Sequence, residues 1–128
     1  MAYKILVVDD EPPIVRLMEF ILARQGHEML IAVNGQEALD KVRAHQPDLV
    51  LLDIMLPRID GYEVARTLRA DPATATLPII MLSAKAQEED IQKGIDVGVD
   101  EYITKPFSPE QLVGVVGDYL SRVPGKTG

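Results

Sequence analysis

The sequence predicts an α/β fold, a parallel sheet covered by helices on both faces, and three observations lead there. Uninterrupted apolar runs of strand length recur along the chain, as strands buried on both faces require. Between them lie segments whose apolar residues return at helical spacing. The order is strand then helix, five times over, which imposes crossover connections and a parallel arrangement.

Lys4-Ile5-Leu6-Val7-Val8 is the first run, and Asp9-Asp10 ends it. Glu11-Pro12-Pro13 turns the chain, and prolines suit a helix's first turn, where a missing N–H forfeits nothing. Ile14, Met18, Ile21 and Leu22 then mark the core stripe of a helix that Gly26 stops. Glu28 to Val33 reads as a short strand. Asn34, with Glu37 three residues on, has the form of a capping box opening a helix through Ala38, Leu39 and Val42 to about His45. Leu49-Val50-Leu51-Leu52 runs into Asp53, and a loop with Pro57 and Gly61 follows. A helix from about Tyr62 to Ala70 is stopped by Asp71-Pro72. Leu77 to Leu82 is a fourth strand ending at Ser83, and a polar helix covers about Gln87 to Val97, before Gly98. Tyr102-Ile103-Thr104 is the fifth strand, followed by Lys105-Pro106-Phe107. Ser108-Pro109-Glu110-Gln111 starts the last helix, with Ser at the cap and Pro at the first position. That helix is expected to reach about Arg122.

A chain of 128 residues is expected to form a single domain, burying about two thirds of the surface its unfolded form exposes. The composition, 47% apolar and 26% charged, is ordinary for a globular protein. No cysteine is present, which excludes disulfides, Cys-ligated zinc and thiol chemistry. The first apolar run is too short for a signal-peptide core or a membrane span, so no membrane partner and a cytoplasmic location are expected. A net charge of −7 argues against nucleic acid as a direct partner, because binding it depends on Lys and Arg neutralising phosphates.

Parallel topology places every strand's carboxyl end on one edge of the sheet, where open α/β proteins hold their ligands. Here those ends carry Asp9 and Asp10, Asp53, Ser83 and Lys105. Taken alone, Asp53 is equally well read as a turn cap, and each of the others as an unrelated polar strand end. Taken together they have a chemistry. Three carboxylates within a few Å repel one another, each pair by ~4 kcal/mol at an effective dielectric near 20. A divalent cation with oxygen ligands relieves that, and Mg²⁺ is commonly held by one or two carboxylates, waters and phosphate oxygens.

This ordered set resembles the receiver domain of two-component response regulators: Asp9-Asp10 after the first strand, Asp53 after the third, Ser83-Ala84 after the fourth, Lys105-Pro106 after the fifth. The likeness runs from about Tyr3 to Leu120 and includes Pro57 and Gly61. It implies a flavodoxin-like, doubly wound, five-stranded sheet in the order 2-1-3-4-5 with five helices. Residues 1–122 would form the receiver and 123–128 a flexible C-terminal tail. The resemblance further implies phosphoryl transfer from a histidine kinase or histidine phosphotransfer protein to Asp53, with Mg²⁺ held by Asp10, Asp53 and the Met55 carbonyl, and by Asp9 through water. Ser83, Ala84 and Lys105 would bind the phosphoryl oxygens. The Lys105–Pro106 bond would be cis. Ser83 and Tyr102 would form the switch toward a downstream target protein or output domain, with a half-exposed strand aromatic as the plainer account of Tyr102. The chain would be no enzyme beyond its own phosphorylation and dephosphorylation.

Three expectations are particular to this chain. Pro13, Leu17 and Phe20 lie on a flank of the first helix and suit a kinase-docking face, or else widen the core stripe. Met55 and Lys85 flank the site and neither orients an attacking water, so self-dephosphorylation should be slow. The last helix has no Arg in Leu112-Val113-Gly114-Val115-Val116-Gly117, where DNA-binding relatives place one for dimerisation, and its two glycines either admit a partner closely or are simply tolerated. Other readings are weaker. Gly125-Lys126-Thr127 lacks the first glycine of a phosphate loop, and His27 and His45 suggest no metal or acid–base pair. A haloacid-dehalogenase-type phosphatase would want an Asp where Met55 stands, and a flavin carrier's phosphate would be repelled by Asp9-Asp10-Glu11. A degenerate receiver that only binds partners would lack residues that are all present.

Overall fold

The computed structural model describes residues 3–84 and 87–122. Lys85 and the expected tail, with its Gly125-Lys126-Thr127, lie outside the described residues. The elements are β1 (Lys4–Val8), α1 (Pro12–Ala23), β2 (Glu28–Ala32), α2 (Gly35–His45), β3 (Leu49–Asp53), α3 (Gly61–Ala70), β4 (Ile79–Ser83), α4 (Glu88–Val97), β5 (Glu101–Thr104) and α5 (Pro109–Leu120). All pairings are parallel, in the order β2-β1-β3-β4-β5. This is the doubly wound sheet expected from the sequence.

Alternation along the strands divides the core in two. Leu6, Val8, Val50, Leu52, Ile79 and Met81 face Ala38, Leu39 and Val42 of α2 and Val64, Ala65 and Leu68 of α3. Ile5, Val7, Leu49, Leu51, Ile80 and Leu82 face the other way, onto α1 and onto Leu112, Val116 and Leu120 of α5. β3 is buried along its whole length, which explains a run with no polar residue before Asp53. The chain leaves β1 outward to β2 and returns past it to β3, so the switch point of the topology falls between β1 and β3. Asp9 and Asp53 sit there.

Local chemistry sets the helix starts. Asn34 Oδ1 accepts from the Glu37 amide at 2.8 Å and Glu37 Oε1 accepts from the Val33 amide at 3.2 Å, a capping box displaced by one residue on its return bond. Ser108 Oγ accepts from the Gln111 amide at 3.0 Å. Asp60 caps α3 by accepting from the Glu63 amide at 2.9 Å, so α3 begins at Gly61.

The differences from the sequence expectation are small and have causes. β4 begins at Ile79 and not Leu77, because Pro78 has no N–H for the ladder. In α1 the buried set is Val15, Met18, Ile21 and Leu22, while Ile14 packs only at the margin of that core. Leu17 and Phe20 are 42% and 62% exposed, so they do not widen the core stripe. Gly114 and Gly117 face open space, with nothing within 4 Å of an added Cβ.

At the N-terminal edge of the sheet Arg69 ties the α3–β4 loop to the α4–β5 loop. It donates to the carbonyls of Gly98 (2.8 Å) and Leu77 (2.7 Å) and to Asp100 Oδ2 (2.8 Å), which also accepts from the Ile79 amide at 2.8 Å. Nearby, Asp48 Oδ2 accepts from the Lys4 amide at 2.8 Å. Among the described residues no helix is long and apolar enough to cross a membrane.

Candidate functional site

On the C-terminal edge the ends of β1, β3, β4 and β5 deliver the polar groups of the site. β1 ends into Asp9, buried, and Asp10, exposed. Asp9 is anchored by its backbone, whose amide donates to the Ala32 carbonyl at 3.1 Å. Its Oδ1 accepts from the Glu11 amide at 2.9 Å, so the start of α1 holds the carboxylate in place. Asp53 is buried at the end of β3, where Oδ1 accepts a long bond from the Met55 amide at 3.4 Å. Ser83, buried, ends β4, and Ala84 beside it is exposed. Lys105 follows β5, its amide donating to the Ser83 carbonyl at 2.9 Å and its bond to Pro106 cis.

Two glycines fix the loop after Asp53. A Cβ at Gly61 would stand 2.2 Å from the Asp53 carbonyl oxygen, and one at Gly35 would stand 2.2 Å from that of Ile59. Helices α2 and α3 therefore start against the backbone of this loop, at distances no side chain allows.

The acidic oxygens gather closely: ligand atoms of Asp9, Asp10 and Asp53 all lie within 4.8 Å of one another. Among the described residues no other group of three acidic or histidine side chains does so. Lys105 Nζ is the counter-charge, 2.7 Å from Asp9 Oδ2, 3.3 Å from Glu11 Oε1 and 3.4 Å from Asp53 Oδ2. Asp10, Glu11, Asp53, Met55, Ser83, Ala84 and Lys105 line a hollow of ≈ 240 Å³ over this cluster. Larger hollows exist, such as one of ≈ 580 Å³ between α1 and α5, but that one is mostly apolar, with only Arg24, Gln25 and Glu110 polar in its lining, and gathers no such cluster.

The electrostatics follow the geometry. Burial pushes the Asp53 carboxyl above its ordinary 3.8; Lys105 opposes this and the Asp9 charge adds to it. Burial works to lower the Lys105 ammonium, but the bond to Asp9 and the charges of Asp53 and Asp9 carry it above 10.5. Three carboxylates against one ammonium leave the site short of positive charge. Hard oxygen donors with a negative excess are the donor set that suits Mg²⁺.

Tyr102 is not simply a strand aromatic. Its ring packs over Gly94 and against the core, and its hydroxyl bonds Ser83 and Tyr62. Burial is the first cause that pushes the hydroxyl up to about 12, with the Tyr62 and Asp90 charges next. Of the expected docking residues, Leu17 and Phe20 line the α1–α5 hollow with Ile21, Val113 and Gly114, while Pro13 is exposed nearer the site. Sequence reasoning missed Glu11 and Tyr62. Glu11 had a signal, a third acid directly after Asp9-Asp10. Tyr62 had none, because an aromatic in a helix's first turn reads as core.

Comparison with known proteins bears on this site. The family model described as "Response regulator receiver domain" matches residues 5–117. Over 122 residues the chain is 46% identical to the alkaline phosphatase synthesis transcriptional regulatory protein PhoP of Bacillus subtilis (strain 168), covering 95% of this chain and 50% of that protein. This chain thus spans about half the length of that relative. A CheY-like response regulator receiver domain protein from Methanospirillum hungatei superposes with a TM-score of 0.90 at 28% identity, covering 99% of this chain and 100% of that one. The receiver domain of a sensor histidine kinase from Pseudomonas aeruginosa, solved with a magnesium ion coordinated in its active-site cleft, superposes with a TM-score of 0.88 at 28% identity, covering 94% and 99%.

Proposed function

The chain belongs to the response regulator receiver family, and on that premise we propose that it accepts a phosphoryl group on Asp53 from the phosphohistidine of a histidine kinase or a histidine phosphotransfer protein. One observation carries this reading: carboxylates from two strand ends meet around a single ammonium, with Asp53 at the centre of the edge.

The Asp53 carboxylate oxygen attacks phosphorus; the phosphorus–nitrogen bond breaks, imidazole leaves with its electron pair, and an acyl phosphate remains. Lys105 pairs with a phosphoryl oxygen as a compact charge. Ser83 Oγ and the Ala84 amide donate to the other oxygens. Asp10, Asp53 and the Met55 carbonyl would hold Mg²⁺, and Asp9 would do so through water; bound there, the ion neutralises charge on the transferring group. Rate then comes from placement and charge, with little covalent work left to the protein. The chain is both substrate and catalyst of its own modification.

Phosphorylation adds negative charge and acceptor oxygens. Ser83 is drawn to the phosphoryl group, and Tyr102 carries that movement to the α4–β5–α5 surface, which a downstream protein or an output domain reads. Docking of the kinase's helices uses Leu17 and Phe20, with Pro13 toward the site; their exposure supports this. Met55, 62% exposed at the mouth of the site, offers no group to orient water, so the phosphoryl group is long-lived. The relative whose name makes it a transcriptional regulator suggests a DNA-binding output in a longer protein.

Incubation with acetyl phosphate and Mg²⁺, followed by intact mass, tests the assignment. Wild type should gain one phosphoryl group and Asp53→Asn none; labelling of Asp53→Asn at the wild-type rate would assign the nucleophile elsewhere. Calorimetric titration with Mg²⁺ gives a second readout, expected to weaken by at least about tenfold in Asp10→Asn.

A further inference from the structure

Tyr62 is buried, 4% exposed, in the first turn of α3. Its hydroxyl donates to the Asp90 carbonyl, in the first turn of α4, at 3.0 Å. A phenol has a single proton and a carbonyl can only accept, so that proton is committed to Asp90. Toward Tyr102, its other hydrogen-bond partner, Tyr62 can therefore offer only a lone pair. The geometry thus draws the Tyr102 hydroxyl into the interior. Lys93 closes the outside of the pair, its Nζ 4.5 Å from the centroid of the Tyr62 ring. Next to it in α4, Gly94 lets the helix lie against Tyr102, since a Cβ there would meet Tyr102 Cδ2 at 3.3 Å.

We propose that Tyr62 is a third member of the switch, a positioning residue that holds Tyr102 turned toward Ser83 before any phosphoryl group is present. The proposal rests on the switch described above and adds its set point. With Tyr62 in place, the inward arrangement is already the favoured one in the unmodified chain. Phosphorylation then secures an arrangement that exists, and a partner of the α4–β5–α5 surface binds the unmodified protein measurably. Because Tyr62 also grips the Asp90 carbonyl, its loss would loosen Tyr102 and the start of α4 together.

Fluorine NMR on protein labelled with 3-fluorotyrosine tests this, with Tyr102→Phe used to assign the signal. Wild type, Tyr62→Phe and Tyr119→Phe are compared free and with Mg²⁺ plus beryllofluoride. Tyr119 is the control, because its hydroxyl bonds the Asp100 carbonyl and Glu101 and its ring packs against the core on the other face of the sheet from Tyr102. In free wild type the Tyr102 signal should already lie close to its beryllofluoride position. In free Tyr62→Phe it should move toward that of exposed fluorotyrosine, the outward population rising about fivefold, the worth of one net hydrogen bond; Tyr119→Phe should leave it in place. A Tyr102 signal that is the same in free wild type and free Tyr62→Phe would overturn the proposal. Failure of beryllofluoride to bind any of the three proteins would instead count against Asp53 as phosphoacceptor, and the spectra of the free proteins would still decide on Tyr62.

Discussion

At the N-terminal edge of the sheet Arg69 directs its guanidinium to the Gly98 and Leu77 carbonyls and to Asp100, and Asp100 in turn receives the Ile79 amide. At the C-terminal edge a single ammonium, Lys105, stands among Asp9, Glu11 and Asp53, with Asp10 close by. Both edges join loops through charged side chains. The first pairs a cation with acceptors that the protein itself supplies, so it acts as a brace. The second assembles more negative charge than it neutralises, so it is poised for a cation and a phosphoryl group to complete it. A satisfied cluster points to stability, and a cluster with an imbalance points to chemistry.

Substitutions at the two edges should separate these roles. Lys105→Met should have the largest effect on stability, a loss of about 3 kcal/mol, because it leaves the buried carboxylates of Asp9 and Asp53 without a counter-charge. Urea unfolding at neutral pH would measure it, and phosphoryl uptake should fall with it. Arg69→Met should cost about 2 kcal/mol by taking the donor from the Gly98 and Leu77 carbonyls and the counter-charge from Asp100, yet phosphorylate at nearly the wild-type rate. A large fall in phosphorylation of folded Arg69→Met would break the division between the edges.

Asp53→Asn should act in the opposite sense and stabilise the fold at about pH 7 by on the order of 1 kcal/mol, since one like charge leaves the cluster. The pH dependence has a definite sign. A carboxyl whose folded-state value lies above 3.8 favours the folded chain fully below 3.8 and loses that contribution as pH rises through the raised value. The advantage of Asp53→Asn should therefore shrink as the solution is acidified through that window, in paired urea titrations at about pH 7 and pH 3.5. The smallest expected effect is at Arg58, in the loop after the acceptor, with φ at +70°. Arg58→Gly should raise stability by about 0.5 kcal/mol, relief of left-handed strain outweighing added chain entropy.

What the sequence made legible was mainly what repeats or punctuates. Apolar runs such as Leu49–Leu52 marked the strands, and Asn34 and Ser108 marked helix starts because caps are local. The site was legible because parallel strands bring their ends together whatever the side chains between them, so Asp9, Asp53, Ser83 and Lys105 could be joined from order alone. Contacts between distant loops could not be read. Nothing near Arg69 announces Asp100, which is 31 residues away. Tyr62 and Tyr102 are 40 positions apart in the chain numbering and meet only because α3 and β5 both border α4. Glycine was ambiguous in the same way. Gly114 and Gly117, candidates for close approach, face open space, whereas Gly35 and Gly61 are the crowded ones.

Those two crowded glycines bear on how this scaffold tolerates redesign. With α2 seated on the Ile59 carbonyl and α3 on that of Asp53, the acceptor's place is set by two helix starts as much as by the strand that carries it. An engineer could repack the interior residues of that strand and keep the aspartate where it is. A single methyl added at either helix start would shift it.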